Sequence, residues 1–167
     1  MSGIKLKVAQ LNATHDKATF NSDSDPLNRY FKEQASQDIK RRVAACFVAI
    51  TQENEIVAYY TLASASVLLT ELPELLLKKL PRYPTIPAVR MGRLAVSTQY
   101  KGQGIGAVLL ADALLRSASN EIAAYALIVD AKDTKAAAFY QHHGFMLLGV
   151  NPMRLFLPLA NIKKLFD

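Results

Sequence analysis

The sequence predicts an α/β fold of the α+β kind, with a mixed central sheet flanked by helices in a single domain over residues 1–167. Two patterns favour this class. A strand runs directly into a glycine turn and an apolar helix over 88–117, and a further strand, helix and strand follow. Earlier in the chain, two apolar strands are joined by the short polar segment Gln52–Asn54, which is typical of an antiparallel hairpin.

Apolar runs and apolar–polar alternation predict the strands, and apolar residues at helical spacing predict the helices. The predicted strands lie near Ile4–Ala9, Val43–Thr51, Glu55–Leu69, Ala88–Val96, Ala123–Val129, Phe145–Val150 and Met153–Leu157. The predicted helices lie near Pro26–Arg42, Glu71–Leu80 and Ile105–Ser117, with a last one between Asp133 and Gly144.

Capping residues and prolines define where these elements begin and end. Ser24 or Asp25 is expected to cap the first helix, with Pro26 in its first turn, and Asp133 to cap the last. Gly144 is expected at the C-terminal end of that last helix. An extended loop is predicted where three prolines recur, at Pro81, Pro84 and Pro87.

The charge of the chain is positive and clustered. The formal net charge is +6, and the segment Leu75–Arg93 holds five basic residues and no acidic one, while Lys40–Arg42 adds a second cluster. A basic surface attracts polyanions such as nucleic acid, although a solvated surface without a partner explains the charge equally well.

The single cysteine and the hydropathy pattern indicate a protein of the cytoplasm. Cys46 cannot form an internal disulfide, which fits a reducing compartment, and its apolar neighbours predict a core residue rather than a nucleophile. No secretory signal is expected. The most apolar stretch, Ile56–Leu69, falls short of the roughly 20 apolar residues of a membrane span, and no membrane association is expected.

The glycine turn predicts a phosphate-binding loop. Gly102, Gly104 and Gly106 fall within five residues at the start of the apolar helix. Glycine allows close backbone approach and positive φ, and a helix N-terminus offers unpaired N–H groups and partial positive charge. This combination suits a pyrophosphate.

Two motifs together resemble the GNAT family of N-acetyltransferases. They read Lys101-x-x-Gly104-x-Gly106 after a strand, and Asp133-x-x-Ala136-x-x-Phe139-Tyr140-x-x-x-Gly144-Phe145 further along. Likeness over almost the whole chain points to the branch of GNAT toxins from bacterial toxin–antitoxin pairs. It is carried by Phe20–Phe31, Gln34–Ala35, Arg41–Arg42, Tyr59–Leu62, Leu80–Pro84, Arg93–Val96 and Leu155–Leu159.

The resemblance implies an acetyl-CoA-dependent enzyme that acetylates the free amine of aminoacyl-tRNA and blocks translation. It further implies a ribbon-helix-helix antitoxin as partner and a homodimer, and it gives no reason to expect a metal. Tyr140 becomes the general acid that protonates the leaving thiolate. The residues assigned to the cofactor are Leu94, Ala95, Val96, Lys101, Gly102, Gln103, Gly104, Ile105, Gly106, Asp133 and Phe139.

Basic residues are the expected contacts to the phosphates of tRNA, which position a nucleic acid without reading its sequence. They are Arg93, Arg90, Lys40, Arg41, Arg42, Lys78, Lys79 and Arg82. No convincing general base is evident, because Glu55 lies in a turn and Glu71 and Glu74 lie in a basic region of the chain. The aminoacyl amine has a lowered pKa because of its ester neighbour, and we expect a dedicated base to be unnecessary.

The chain departs from the family pattern at three places. Lys101 stands where Arg or Gln is usual, Asp133 replaces a common Asn, and Ser22-Asp23 stands where the branch often has Cys-Gly. Lysine can still meet a phosphate as a point charge, and aspartate is an equally good helix cap.

Three other interpretations compete with a tRNA-acetylating enzyme. The glycines formally match a relaxed dinucleotide-binding fingerprint, but several strands precede them, whereas that fold places the fingerprint after its first strand. The second interpretation is a GNAT enzyme that acts on a small amine or a protein N-terminus. The basic surface of this chain argues against polyamines as substrates, because it would repel them. The third is a nucleic-acid-binding protein without chemistry, which leaves Tyr140 and the glycine loop unexplained.

Overall fold

The computed structural model describes residues 4–162. Residues 1–3 and 163–167 of the predicted domain lie outside the described residues. The strands are β1 (Lys7–Gln10), β2 (Ala45–Ile50), β3 (Ile56–Leu68), β4 (Thr85–Val96), β5 (Ala126–Asp130), β6 (Met146–Leu147) and β7 (Arg154–Pro158). The helices are α1 (Asp25–Glu33), α2 (Ala35–Lys40), α3 (Glu74–Leu77), α4 (Ile105–Ser119) and α5 (Thr134–His142).

The strands form the predicted mixed sheet, in the order β1-β2-β3-β4-β5-β7-β6. β2 pairs with β3 in antiparallel fashion, as the hairpin at Gln52–Asn54 predicts, and β1 pairs with β2 in the same fashion. β4 and β5 run parallel, with Ala88 opposite Ala126, and β7 is antiparallel to both β5 and β6. The parallel pair is the one joined by a helical crossover, which parallel strands require.

The described chain is organised as two compact units. The first comprises the chain up to Ala63 together with Gly92–Ala113. Its core is an aromatic cluster in which the Tyr59 ring stacks on Phe31 at 4.4 Å and meets Phe20 edge-on at 5.4 Å between ring centroids. Such pairs contribute about 0.5–1.5 kcal/mol beyond their buried area. They hold α1 against β3.

The second unit comprises Ser64–Met91 and the chain from Leu114 onward. Its centre is β5, where the continuous apolar run Ala126–Val129 is wholly buried. Such a run is typical of a strand covered on both faces. Arg154 on β7 pairs with the carboxylate of Glu71, and the Glu71 carbonyl accepts from Gly149 N at 3.2 Å, which ties the chain before α3 to the turn after β6.

The first predicted helix, Pro26–Arg42, is wrong in one respect, because the chain forms two helices with a break at Gln34. The φ of Gln34 is −119°, far from the α-helical value of about −63°. Its side-chain amide donates to Asp38 at 2.9 Å. The start is as predicted, since Ser24 caps α1 through Leu27 N and proline stands in the first turn.

The predicted helix Glu71–Leu80 is also wrong in extent, because α3 covers only Glu74–Leu77. Pro73 lies inside the predicted range but cannot occupy a helix interior, and it biases the preceding residue to extended backbone. Leu72 accordingly has ψ of 150°. Pro87, predicted in a loop, lies inside β4, where its carbonyl accepts from Tyr125 N at 2.8 Å.

The core assignment of Cys46 is confirmed. Its side chain is 2% exposed, and burial raises the pKa of the thiol to about 12, which removes thiolate character at neutral pH. Across residues 4–162, no helix is long and apolar enough to cross a bilayer.

Candidate functional site

The glycine turn lies between β4 and α4. A single 3-10 turn, Thr98–Tyr100, precedes residues 101–104, which are all exposed. Gly102 and Gly104 have φ of +77° and +76°, the left-handed region that other residues enter only at a cost of about 1–2 kcal/mol. A Cβ at either glycine would meet nothing within 4 Å. Glycine is therefore required here by the backbone, and the space over the turn is open.

One carbonyl anchors the beginning of this turn. The oxygen of Asn21 accepts from Thr98 N at 2.9 Å, from the Thr98 hydroxyl at 3.2 Å and from the Ser97 hydroxyl at 3.2 Å. Ser97 is itself buried. The segment before α1 thus fixes the point where β4 leaves the sheet.

Glu55 anchors the next two residues. Its Oε1 accepts from the Tyr100 hydroxyl at 2.6 Å and from Gln99 Nε2 at 3.1 Å. The hydrogen bond to Glu55 raises the pKa of Tyr100. Sequence analysis weighed Glu55 only as a base, whereas its carboxylate supports the turn.

Two of the three departures from the family pattern meet in the structure. The ammonium of Lys101 forms an ion pair with the carboxylate of Asp23, and both side chains are about half exposed. No signal in the sequence links these positions, which lie 78 residues apart.

The residues of this turn fit an anionic phosphate group. α4 is a 15-residue helix, long enough to carry the partial positive charge of a helix N-terminus at Ile105. Ile105 buries its side chain in the core, and Gly102, Gln103 and Gly104 present exposed backbone together with the charge of Lys101.

At the end of β4, the groups available to a ligand are main-chain N–H and C=O groups rather than reactive side chains. Ala95 is buried in the aromatic core of the first unit, while Leu94 and Val96 are half-buried and share the opposite face of the strand.

Tyr140 lies on α5, which begins as predicted. Asp133 caps the helix, its Oδ1 accepting from Ala136 N at 2.8 Å, and Gly144 follows the last turn with φ of +93°. The Tyr140 ring packs against Phe139 and Phe145 at 5.3 and 5.5 Å between centroids and is 6% exposed.

The pKa of Tyr140 is raised, first by burial and then by the negative charge of Asp130. A nearby positive charge would ease proton donation, whereas the charge of Asp130 acts in the opposite direction. The phenol therefore keeps its proton throughout the physiological pH range.

Comparison with known proteins decides the family. The protein-family model described as an acetyltransferase (GNAT) domain matches residues 43–147 of this chain. This chain belongs to the GNAT family. A tRNA-acetylating toxin of Mycobacterium tuberculosis (strain ATCC 25618 / H37Rv) is 29% identical, with 93% of each chain covered.

Solved structures of GNAT toxins share the fold over nearly the whole chain. AtaT complexed with acetyl-methionyl-tRNAfMet is 32% identical, with 98% of this chain and 100% of that one covered and a TM-score of 0.88. A mutant AtaT toxin bound to the C-terminus of the antitoxin AtaR and acetyl-CoA is 28% identical, with 97% and 98% covered and a TM-score of 0.81.

Arg93, assigned to tRNA in this GNAT chain, is stacked on an aromatic ring. Its guanidinium lies 3.4 Å from the centroid of Tyr30, whose hydroxyl donates to Asp38 at 2.7 Å. Hydrogen bonds from Gln34 and Tyr30, with the charge of Arg93, lower the pKa of Asp38. Tyr30 falls in the Phe20–Phe31 segment that resembles GNAT toxins, but neither Tyr30 nor Asp38 was assigned a role, because no spacing links them to Arg93.

The basic cluster of the first unit lies at the end of α2. Lys40, Arg41 and Arg42 are exposed. Arg42 has φ of +60°, and the bonds Arg42 N to Ile39 O and Val43 N to Asp38 O, both 3.0 Å, form a Schellman-type helix end. Glycine is the usual residue at such a position, so an arginine here carries a cost in backbone strain.

The basic residues of the second unit are exposed as well. Lys78 and Lys79 follow α3, and Arg82 lies in the proline segment. Arg90 on β4 lies 3.6 Å from the carboxylate of Asp130, and both side chains are about half exposed. Within residues 4–162, no group of His, Cys, Asp or Glu side chains is arranged to hold a metal ion.

Proposed function

We propose that this protein transfers the acetyl group of acetyl-CoA to the α-amine of aminoacyl-tRNA and thereby blocks translation. The observation that carries the proposal is the end-to-end likeness to AtaT complexed with acetyl-methionyl-tRNAfMet, in a chain that keeps the glycine turn and the tyrosine helix. Acetylation removes the nucleophilic amine on which peptide-bond formation depends.

Acetyl-CoA supplies an acetyl group activated as a thioester. Backbone N–H groups of Gln103 to Gly106 bind its pyrophosphate at the start of α4, and Lys101 adds a point charge. Leu94 and Val96 offer main-chain groups to the pantetheine amides, and one N–H of this strand polarises the acetyl carbonyl. Asp133 acts as the cap of α5 and Phe139 packs beside Tyr140, so both support the site indirectly.

Tyr140 donates the proton that the departing sulfur needs. Transfer from a phenol near pKa ~10 to a thiolate near ~8.5 is uphill by about 2 kcal/mol at reference values, and the raised pKa of Tyr140 adds to this. Its burial ensures that the proton is present at any physiological pH. The rate of acetyl transfer then depends on other interactions that stabilise the transition state.

The substrate amine reacts without a dedicated base. Two of the glutamates that were considered are engaged, Glu55 by Tyr100 and Gln99, and Glu71 by Arg154. The ester neighbour of an aminoacyl amine lowers its pKa, so a useful fraction is neutral. A sharp loss of acetyl transfer in Glu74→Gln, at an exposed glutamate of α3, would contradict this.

Exposed arginines and lysines bind the acceptor end of the tRNA through phosphates. The cluster Lys40–Arg42 and the residues Lys78, Lys79, Arg82 and Arg90 have the required exposure and sign. Arg93 contributes a cation that is already ordered by Tyr30.

The proposed toxin function also implies protein partners and a cellular location. We infer a homodimer that acts in the cytoplasm, where aminoacyl-tRNA is made, and neutralisation by a ribbon-helix-helix antitoxin. The mutant AtaT toxin bound to the C-terminus of the antitoxin AtaR supports an antitoxin partner, and the ribbon-helix-helix type rests on the family resemblance.

A cell-free translation reaction tests the proposal. We expect the purified protein to stop protein synthesis only when acetyl-CoA is present, and Tyr140→Phe to leave synthesis running. Arrest without acetyl-CoA, or equal arrest by Tyr140→Phe, would contradict it.

A further inference from the structure

We propose that Asp23 sets the affinity for acetyl-CoA by competing with the cofactor's phosphate for the ammonium of Lys101. In the free protein the carboxylate holds Lys101. Binding of the cofactor then requires the ammonium to exchange a carboxylate oxygen for a phosphate oxygen. This inference rests on the proposed function and concerns the same loop.

The ion pair lies at the entrance of the glycine turn. Lys101 immediately precedes Gly102 and directly follows the 3-10 turn that Asn21 and Glu55 anchor. Because the backbone on its N-terminal side is fixed, the ammonium can reach only groups close to the turn. Asp23 is the acidic group that it contacts.

Asp23 is presented by a rigid segment. Its neighbour Ser22 is buried and uses both its N–H and its hydroxyl to donate to Asn28 Oδ1, each at 2.8 Å. Asn28 Nδ2 in turn donates to the Ser22 carbonyl at 3.0 Å and to Asn21 Oδ1 at 2.9 Å. Ser24, on the other side, caps α1. The segment that carries the carboxylate is therefore fixed beside the loop independently of Lys101.

The direction of the effect of Asp23 on acetyl-CoA affinity follows from this placement. An exposed ion pair is weak, so a multiply charged phosphate displaces the carboxylate readily. The ammonium must nonetheless give up this ion pair to meet the phosphate, so the loss of the pair offsets part of the favourable contact between Lys101 and the phosphate. Asp23 therefore weakens binding, and its neutralisation is expected to tighten acetyl-CoA binding about threefold to fivefold.

A purely orienting role for Asp23 predicts the reverse. If the carboxylate served to aim Lys101 at the phosphate, Asp23→Asn would lose affinity rather than gain it. The two roles are thus separated by the direction of one binding constant.

Calorimetric titration of acetyl-CoA into the purified protein is the test. The variants are Asp23→Asn, Lys101→Met and their double variant, with Asp25→Asn as matched control, since Asp25 is an exposed acid on the same segment. We expect a lower Kd for Asp23→Asn, a higher Kd for Lys101→Met, and a gain of twofold or less from Asp23→Asn in the Lys101→Met background. Asp25→Asn should bind as the wild type does.

The outcomes distinguish this inference from the proposed function. An unchanged or higher Kd for Asp23→Asn, or the same gain with and without Lys101, would overturn the competition while acetyl-CoA binding by the wild type stands. A wild-type protein that binds no acetyl-CoA would overturn the proposed function and this inference with it. The gain should also shrink as NaCl is raised, because exposed charges are screened.

Discussion

The guanidinium of Arg93 lies 3.4 Å from the centre of the Tyr30 ring, and Tyr30 is fixed in turn by its hydroxyl bond to Asp38. A cation over an aromatic face contributes about 0.5–2 kcal/mol, more as it is desolvated. Arg93 is half-buried, so this cation is held in one place at the strand that leads into the glycine turn.

Variants of Tyr30 separate its hydrogen bond to Asp38 from its ring contacts with Arg93 and Tyr59. Tyr30→Phe keeps the ring under Arg93 and loses the bond to Asp38, at an expected cost of about 1–3 kcal/mol in the free energy of unfolding. Tyr30→Leu loses the stacking as well and should cost at least about 1 kcal/mol more. Urea denaturation measures both. Equal stability of the two variants would show that the stacking contributes nothing.

The raised pKa of Tyr140 predicts a loss of stability in alkali. An unfolded tyrosine ionises near pH ~10, whereas the folded residue keeps its proton to higher pH. The stabilisation is fully present below pH ~10 and is lost as the pH rises towards the folded pKa, because only the unfolded state releases a proton there.

Urea denaturation between pH 7 and 11 checks this expectation. Tyr140→Phe should lower stability at pH 7 through lost contacts, but its stability should fall less steeply than that of the wild type above pH ~10. Parallel curves for the two proteins would contradict the raised pKa.

The left-handed glycines predict a selective effect on cofactor binding. Gly102→Ala or Gly104→Ala would force alanine to φ near +77°, which costs about 1–2 kcal/mol or shifts the loop. Since a Cβ meets nothing within 4 Å, the expected weakening of acetyl-CoA binding, about tenfold, arises from the backbone alone.

Gly149→Ala is the matched control. Gly149 has φ of +69° in the turn after β6, so the variant carries similar strain outside the loop. It should lower the melting temperature and leave the Kd for acetyl-CoA unchanged. A comparable rise in Kd for Gly149→Ala would mean that general destabilisation explains the loop variants.

The positive φ of Arg42 predicts that replacing it with glycine changes stability and tRNA binding in opposite directions. Arg42→Gly relieves the left-handed backbone and should raise the free energy of unfolding by about 0.5–1 kcal/mol, after allowance for the flexibility of glycine in the unfolded chain. The same variant should bind aminoacyl-tRNA more weakly, with the salt dependence of binding reduced by about one charge.

Arg41→Gly removes the same charge at a residue with φ of −82°. It should weaken tRNA binding to a similar degree without any gain in stability. Filter binding across NaCl concentrations and thermal unfolding measure the two effects. Unchanged tRNA binding in both variants would exclude this cluster from the tRNA interface.

Local signals in the sequence were sufficient for much of the fold. The cap at Asp133, the proline start of α1 and the run from β4 through the glycine turn to α4 each depend on residues close together in the chain. The break at Gln34 was not predictable, because a single unusual φ leaves no mark among residues that all tolerate a helix. The short α3 could have been found, since Pro73 lay inside the predicted range.

The supports of the candidate site were not predictable from one sequence. Asp23 and Lys101, or Tyr30 and Arg93, are brought together only by the fold, and no spacing rule links residues so far apart. Glu55 shows the same limit, because its position in a turn gave no hint that its carboxylate would hold Tyr100 and Gln99.

Transfer of radiolabelled acetyl from acetyl-CoA into a mixed pool of charged tRNA tests the central claim most directly. The account predicts label in the RNA fraction with the wild type and none with Tyr140→Phe, although that variant still binds acetyl-CoA. The labelled aminoacyl ester would then identify the amino acid that is acetylated. Absence of label from every charged tRNA, with acetyl-CoA binding intact, would contradict the claim and leave an acetyltransferase for protein or small-molecule amines.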